Sequence, residues 1–529
     1  MFSIKSHSLP EVQSEFQLKE ILQMKNKIYS LFAFGAVASL CGCVNVDEEV
    51  ANTPSVYWKA PNDAMPTEFY KPANIKTDKI ITEKDEQQLS EKSENSEKKS
   101  DTSKLSASEK MLVGSQLNLP ELVDIALENN PTTRIYWFQA KQYASAKGKA
   151  QSAYYPQVSV GADIYRSKTK PSLGYGMNLP IGSYYETAYG PSAQISWLLY
   201  DFGKREAQVE STQEAMRSAN FEFNQAIQDV FLNVNIAYYQ YYATIGSVKV
   251  AELNLKDSQT SFESADRKLK DGVGNKQDML NALASLKNAE FEVENRKADV
   301  ETARANLANA MGVSASDIKN ISENVPTLTS PETSQTIDNL IAKALKSRQS
   351  LLASYAKLRQ TQSDVNVAKR DFLPQISAQA GASYGWYSDN HRSDQYQYQI
   401  GLSASWSVFE GFARKYELIS AKAKERAQAQ ELKAKQIQII SNIWAYYYTY
   451  QSAVKQVSSA EAMVKASQEA YQATKIGFDN GVNTITDLLN AQTRLATARQ
   501  TNVNALASLS MSVARLSHAV GALGVDNPQ

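Results

Sequence analysis

The feature that most restricts what this chain can fold into is an internal duplication held at constant offsets. Leu122, Ala126, Leu127, Pro156, Gln157 and Ser159 recur 218 positions later as Leu340, Ala344, Leu345, Pro374, Gln375 and Ser377. Farther along, Ser196, Trp197, Gly272, Val273, Asp278, Leu280, Asn281, Ala282 and Gly312 recur 209 positions later as Ser405, Trp406, Gly481, Val482, Asp487, Leu489, Asn490, Ala491 and Gly521. Tandem self-similarity of this kind means one supersecondary unit built twice. The first repeat covers 117–314 and the second 337–523, with a linker over 315–336 and a short tail over 524–529.

Each repeat has the same internal order. A helical segment (about 119–153, then about 337–372) stops before Tyr155-Pro156 or Leu373-Pro374, because the residue before a proline is disfavoured in the helical region. Two strands follow, over about 155–200 and 374–409. In the second repeat Ile376, Ala378, Ala380, Ala382, Tyr384 and Trp386 alternate with Gln, Ser and Gly, and Tyr396, Tyr398, Ile400, Leu402, Ala404, Trp406 and Val408 do the same on the return. Such a period of two belongs to a strand with one apolar face. The first repeat has Val158, Val160, Ala162 and Ile164 facing Ala193, Ile195, Trp197 and Leu199. Aromatics flank these stretches as they do in membrane barrels.

A very long helix comes next. Ala413 to Ile476 contains neither Gly nor Pro, and Lys204 to Asp271 is interrupted only by Gly246. At 1.5 Å per residue such a helix spans about 95 Å. Both end at a Gly-Val turn, Gly272-Val273 and Gly481-Val482, and a shorter helix returns to Gly312 or Gly521. Return helix and opening helix, end to end, match one long helix. The Ala- and Ser-rich faces suit close coiled-coil packing around a wet interior.

Four strands cannot close a membrane barrel, and an open edge in lipid leaves backbone groups unsatisfied, so the barrel has to be shared between chains. Two chains give about eight strands packed solid, whereas three give about twelve with room for a lumen of Gln, Ser and Gly. The expected fold is mainly α with a membrane β-barrel portion: four strands per chain, a shared twelve-stranded barrel and an α-helical barrel in a trimer.

The N-terminal region reads as processing signal and tether. From Met24, a second candidate start, Lys25 and Lys27 precede an apolar run from Ile28 to Leu40, of signal-peptide length and too short to span a bilayer. Its end, Leu40-Cys41-Gly42-Cys43, resembles a bacterial lipobox, with 1–43 removed or processed and Cys43 as the lipid attachment. Val44 rather than Asp after Cys43 favours the outer membrane within that resemblance. Cys41 and Cys43 are the only cysteines, which excludes a disulfide framework. The stretch from Glu83 to Lys110 is mostly Lys, Glu, Ser and Asp without an aromatic, so 44–116 is expected to be a flexible tether.

Equal numbers of basic and acidic residues, 56 each, give no field that would recruit nucleic acid. His7, His391 and His518 are scattered, and no nucleophile elbow, P-loop or dinucleotide fingerprint is present. The reading therefore has no catalytic residue, metal site or cofactor. Tyr238, Tyr239 and Tyr241, repeated as Tyr447, Tyr448 and Tyr450 with Tyr242 and Tyr446 beside them, are expected to be repeated core packing.

The duplicated order of helix, Pro-Gln hairpin start, long helix and Gly-Val turn resembles the TolC outer-membrane factor family over about 117–523. The turns are followed by Asn275-Lys276-Gln277-Asp278-Met279-Leu280-Asn281-Ala282 and by Asn483-Thr484-Ile485-Thr486-Asp487-Leu488-Leu489-Asn490-Ala491. The resemblance implies an outer-membrane homotrimer with its helical barrel in the periplasm. It implies an exit duct of a tripartite efflux pump or type I secretion system, partnered by a periplasmic adaptor and an inner-membrane transporter. Adaptor docking then falls on the turns Gly272, Val273, Gly481 and Val482, and the periplasmic gate on Asp278, Phe478, Asn483, Asp487 and Asn490. Asp487, one per protomer, would ring the constriction and attract cations. Asp278 and Asp487 could instead cap their return helices. Phe478, Asn483 and Asn490 depart from members with a Tyr/Arg latch and a second Asp, so weaker cation selectivity is expected. The competing class is a trimeric structural or adhesive surface protein, disfavoured because the hairpins recur mid-chain in both repeats.

Overall fold

A computed structural model describes residues 49–61, 117–169, 184–318, 321, 335–387 and 394–522. Cys43 and the signal, most of the tether, both hairpin tips and the C-terminal tail lie outside the described residues. In the first repeat the elements are α1 (Leu119–Asn129), α2 (Pro131–Gln151), β1 (Gln157–Thr169), β2 (Tyr184–Tyr200), α3 (Lys204–Lys270) and α4 (Lys276–Met311). The second repeats them as α5 (Ile337–Ser347), α6 (Gln349–Arg370), β3 (Gln375–Tyr387), β4 (Gln395–Ser405), α7 (Ala413–Asp479) and α8 (Ile485–Val520).

The sheet has the order β1-β2-β3-β4, all neighbours antiparallel, so the hairpin of one repeat pairs directly with that of the other. The register aligns like with like. Val158 faces Ile195, which faces Ala380, which faces Ile400, and Val160, Ala193, Ala382 and Tyr398 form the next apolar row. On the opposite face Ser159, Gln194, Gly381 and Gln399 form a polar row, and Gln157, Ser196, Gln379 and Gly401 another. Ile164, Ile400, Leu402 and Tyr398 are each at least 75% exposed in the single chain, so no described residue covers the apolar face there. No helix among the described residues is long and apolar enough to cross a membrane.

Both long helices run 67 residues, about 100 Å at the α-helical rise. The α7 helix buries Ala421, Gln428, Leu432, Ile439, Ile443, Ala453, Ala460, Tyr471 and Phe478, a single narrow seam at coiled-coil spacings. Helix α3 packs against α2, α4, α6 and α8, and α7 against α6 and α8.

The opening helices differ from expectation, for each is broken. Asn130, with ψ of 124°, leaves the helical region before Pro131 and caps α2 by accepting from Thr132 N–H at 2.8 Å. Arg348, with ψ of 118°, also leaves the helical region, here without a following proline and without a side-chain cap. The breaks free α1 and α5 to turn into two cores at mid-length. In the first, Leu122, Ile125 and Ala126 meet Val234, Tyr238, Tyr239, Leu307 and Met311. In the second, Leu340 and Ala344 meet Ile439, Ile443, Leu516 and Val520. Only α2 and α6 therefore stack end to end on the return helices. Gly312 lies against Asn130, whose amide donates to Ala310 O at 2.8 Å, and Arg348 donates to Ala519 O at 2.6 Å.

The tyrosine pairs divide. Tyr238 and Tyr239 are fully buried, and Tyr446, Tyr447 and Tyr450 pack partly buried on the second core, as expected. Tyr448 is 52% exposed and lies beside Trp444, because the α7 seam is too narrow to include it.

Two boundaries need correction. Residues 49–61, inside the expected tether, are packed: Trp58 is buried edge-on against Phe221, and its backbone exchanges hydrogen bonds of 2.8 and 2.9 Å with the Asn224 amide. Trp137 Nε1 donates to Ala51 O at 2.7 Å. The apolar surface that Ala51 and Trp58 bury is what orders this segment. The linker likewise begins inside the first core, with Ile318 buried and Ile321 bridged to Leu117.

Candidate functional site at the helix-pair tips

The end of the molecule away from the sheet is formed by the α3–α4 and α7–α8 turns. Each is a tight reversal with a glycine at positive φ, +77° at Gly272 and +79° at Gly481, a conformation that side chains other than glycine rarely adopt. Lys268 O accepts from Val273 and Gly274 N–H, and Gly477 O from Val482 and Asn483 N–H. The following valines are left outward, Val273 77% and Val482 80% exposed. Two isopropyl groups thus crown tips otherwise made of glycine and polar residues.

The acidic residues after the turns sit in caps. Asn275 accepts from Asp278 N–H at 2.7 Å. Thr484 and Asp487 form a reciprocal capping box, Thr484 N–H donating to the carboxylate at 3.0 Å and Asp487 N–H to the hydroxyl at 3.2 Å. The Thr484 hydroxyl, donating at 2.7 Å, and then its backbone N–H hold the Asp487 carboxyl below its usual range. Asp487 and Asn490 both face solvent. Asp487 is therefore a capping residue and, at the same time, an exposed charge.

Phe478 and Asn483 point elsewhere. Phe478 is buried among Ala265, Ala282, Tyr471, Ile485, Leu488 and Leu495, joining the two helix pairs through an apolar knot. Asn483 donates to Thr474 O at 3.3 Å and lies against Gly477, so it secures its own turn.

Apart from Phe478, the residues that tie one pair to the other were not among those the sequence singled out. Lys268 donates to Phe478 O and holds its ammonium 4.1 Å from the Phe478 ring centroid. Ser264 donates to Asp479 at 2.6 Å. Farther from the tip, Arg499 bonds Asp257 at 2.9 Å and Gln468 at 2.8 Å, and Gln492 reaches Asn254 and Ser258. The signal available was the cluster of Lys268, Asp479 and Arg499 near the turns, but nothing local pairs residues more than 200 positions apart.

A four-stranded sheet with one apolar face, two open edges and 67-residue helices leaving it fits the class of outer-membrane channel proteins. The chain belongs to the Outer membrane efflux protein family, whose model matches residues 122–313 and 340–522, one match to each repeat. It is 24% identical over 422 residues to the outer membrane protein TolC of Vibrio cholerae, covering 77% of this chain and 91% of that one. It is also 24% identical over 416 residues to protein CyaE of Bordetella pertussis, covering 77% and 85%. Among solved structures, the Campylobacter jejuni CmeC outer membrane channel superposes with a TM-score of 0.68 at 19% identity, covering 76% of this chain and 85% of that one. The outer-membrane channel OprN gives 0.67 at 20% identity, covering 76% and 90%. This chain is thus an outer-membrane channel protein with its helical part in the periplasm.

Proposed function

We propose that three copies of this chain form one exit duct for a tripartite efflux pump or type I secretion system. The observation that carries the reading is the register of the sheet. Its aligned rows give a face of Val, Ile, Ala and Tyr for lipid and a face of Ser, Gln and Gly for water, while both edges await a neighbour. Three sheets supply about twelve strands, enough for a lumen. The duct receives its cargo at the tips, where Val273 and Val482 offer apolar contacts to the helices of a periplasmic adaptor, which in turn links to an inner-membrane transporter. The gate is closed by the ties of Lys268, Ser264 and Arg499 between the helix pairs, in place of a Tyr/Arg latch. Asp487 supplies the acidic ring, and Asn490 adds no charge to it. Cys43 anchors the chain, and Cys43→Ser is expected to abolish incorporation of labelled fatty acid.

The test is single-channel recording of the purified protein in planar bilayers with the oligomer mass measured on the same sample. A trimer giving small, cation-selective currents supports the duct. A trimer that stays silent even when the tip ties are removed overturns it in favour of a structural surface protein.

A further inference from the structure

The duplication also built one junction twice, where each sheet meets its long helix. Trp197 Nε1 donates to Tyr154 O at 2.9 Å, and Trp406 Nε1 to Phe372 O at 3.0 Å. Arg205 donates to Ala153 O at 3.1 Å, to Leu198 O at 2.6 Å and to Leu199 O at 3.0 Å, and its Nε lies 3.3 Å from Asp201. Arg414 donates to Asp371 O at 3.1 Å and to Ser407 O, and its Nε lies 3.3 Å from Glu410. The guanidinium groups lie over equivalent rings, 4.8 Å from Tyr154 and 5.6 Å from Phe372. All of these partners but Leu199 are equivalents in the repeat: Ala153 with Asp371 and Tyr154 with Phe372 at 218 positions, Leu198 with Ser407 and Asp201 with Glu410 at 209.

The chain between strand and helix is strained in both copies. Phe202 and Gly203 have φ of 55° and 84°, Gly411 and Phe412 of 59° and 68°. A phenylalanine at positive φ persists only where its surroundings impose it. The two copies place Phe and Gly in opposite order yet share four arginine contacts, to the helix end, the strand end, the carboxylate and the ring, so the arginine and not the turn sequence is the constant element. The arginines are nearly enclosed, with side chains 12% and 11% exposed. A planar fork of five donors can bind a strand carbonyl, a helix-end carbonyl and a carboxylate at once, which an ammonium group cannot reproduce.

We propose that Arg205 and Arg414 are positioning residues that pin the membrane ends of α3 and α7 to the barrel, so that movement during opening is confined to the tips. Each pin locks three chain segments at one point: the end of the preceding helix, the end of the strand and the first turn of the long helix. The inference rests on the duct reading for its purpose, while the joint itself is measured without conduction.

The experiment is hydrogen exchange by mass spectrometry on the full-length assembled protein. Arg205→Lys is expected to speed exchange over 207–214 by about tenfold or more and leave 416–423 at the wild-type rate, and Arg414→Lys to do the reverse. An equal rise in both regions, which general destabilisation gives, or no rise in either, overturns the proposal. If the lysine variants do not assemble, Trp197→Phe and Trp406→Phe each delete one indole donor and are expected to show the same half-specific pattern at smaller amplitude; its absence is equally fatal. Unlatching the tips with Lys268→Ala and Arg499→Ala is expected to speed exchange near 268–275 and 477–484 while 207–214 and 416–423 stay unchanged. A rise at the joints refutes the pivot, whereas channels that stay silent even with the tip ties removed, together with half-specific exchange, refute only the duct.

Discussion

At the residue scale, one side chain can combine a structural contact with an exposed charge. Asp487 caps α8 and faces solvent as an anion, and its low carboxyl range means the charge survives acidification. Asp487→Asn keeps Thr484 as cap but removes the charge, so the cation preference in a salt-gradient reversal-potential measurement is expected to fall toward unity. In the wild type the preference measured at pH 5 should equal that at pH 7, both lying above the titration of a carboxyl below its ordinary value of about 3.9. Asp229 shows a different balance. Burial pushes its carboxyl up, but hydrogen bonds from His518 and Gln225, with the charges of His518 and Arg348, outweigh this and hold it below the ordinary range. A carboxyl depressed on folding stabilises the protein above its unfolded value and loses that contribution as pH falls through the folded one. Asp229→Asn is therefore expected to lower the melting temperature near pH 7, with the gap to wild type closing below about pH 4.

At the element scale, the repeat depends on where helices stop. Gly312 combines φ of +73° with a backbone contact, since a Cβ there would lie 2.7 Å from Asn130 Cα. Gly272 has φ of +77° with open space around it. The contrast separates conformational strain from collision. Gly272→Ala is expected to cost about 1 kcal/mol and Gly312→Ala roughly 2–3 kcal/mol, measured as the difference in urea unfolding. Gly312 was visible in the sequence as a duplicated glycine, but its role as the landing point for the helix break was not. Pro131, within the polar run Glu128-Asn129-Asn130-Pro131-Thr132-Thr133-Arg134, marked the first break by the same pre-proline rule that correctly ended the helices at Pro156 and Pro374. At Arg348 no local residue gave the break away. There the reward is tertiary, a guanidinium on the terminal carbonyls of α8.

At the scale of the whole molecule, the two repeats are not independent bodies. They are joined at the membrane end by the β2–β3 pairing, along their length by α3 against α6 and α8, and at the tips by Lys268, Ser264 and the Phe478 knot. If the tip ties hold the gate shut, Lys268→Ala with Arg499→Ala is expected to raise opening frequency in planar bilayers well above either single change; unaltered opening would reassign those contacts to stability alone.

The sequence by itself determined the duplication, the two apolar-faced hairpins, the two very long helices and the glycine turns, because each rests on local periodicity or on the presence or absence of Gly and Pro. Only the tertiary structure decided the β2–β3 seam, the packing of residues 49–61, the break at Arg348 and the Lys268 and Arg205 contacts. These unite side chains with carbonyls that sit far off in the chain or carry no residue signature, and a backbone carbonyl looks the same in every sequence.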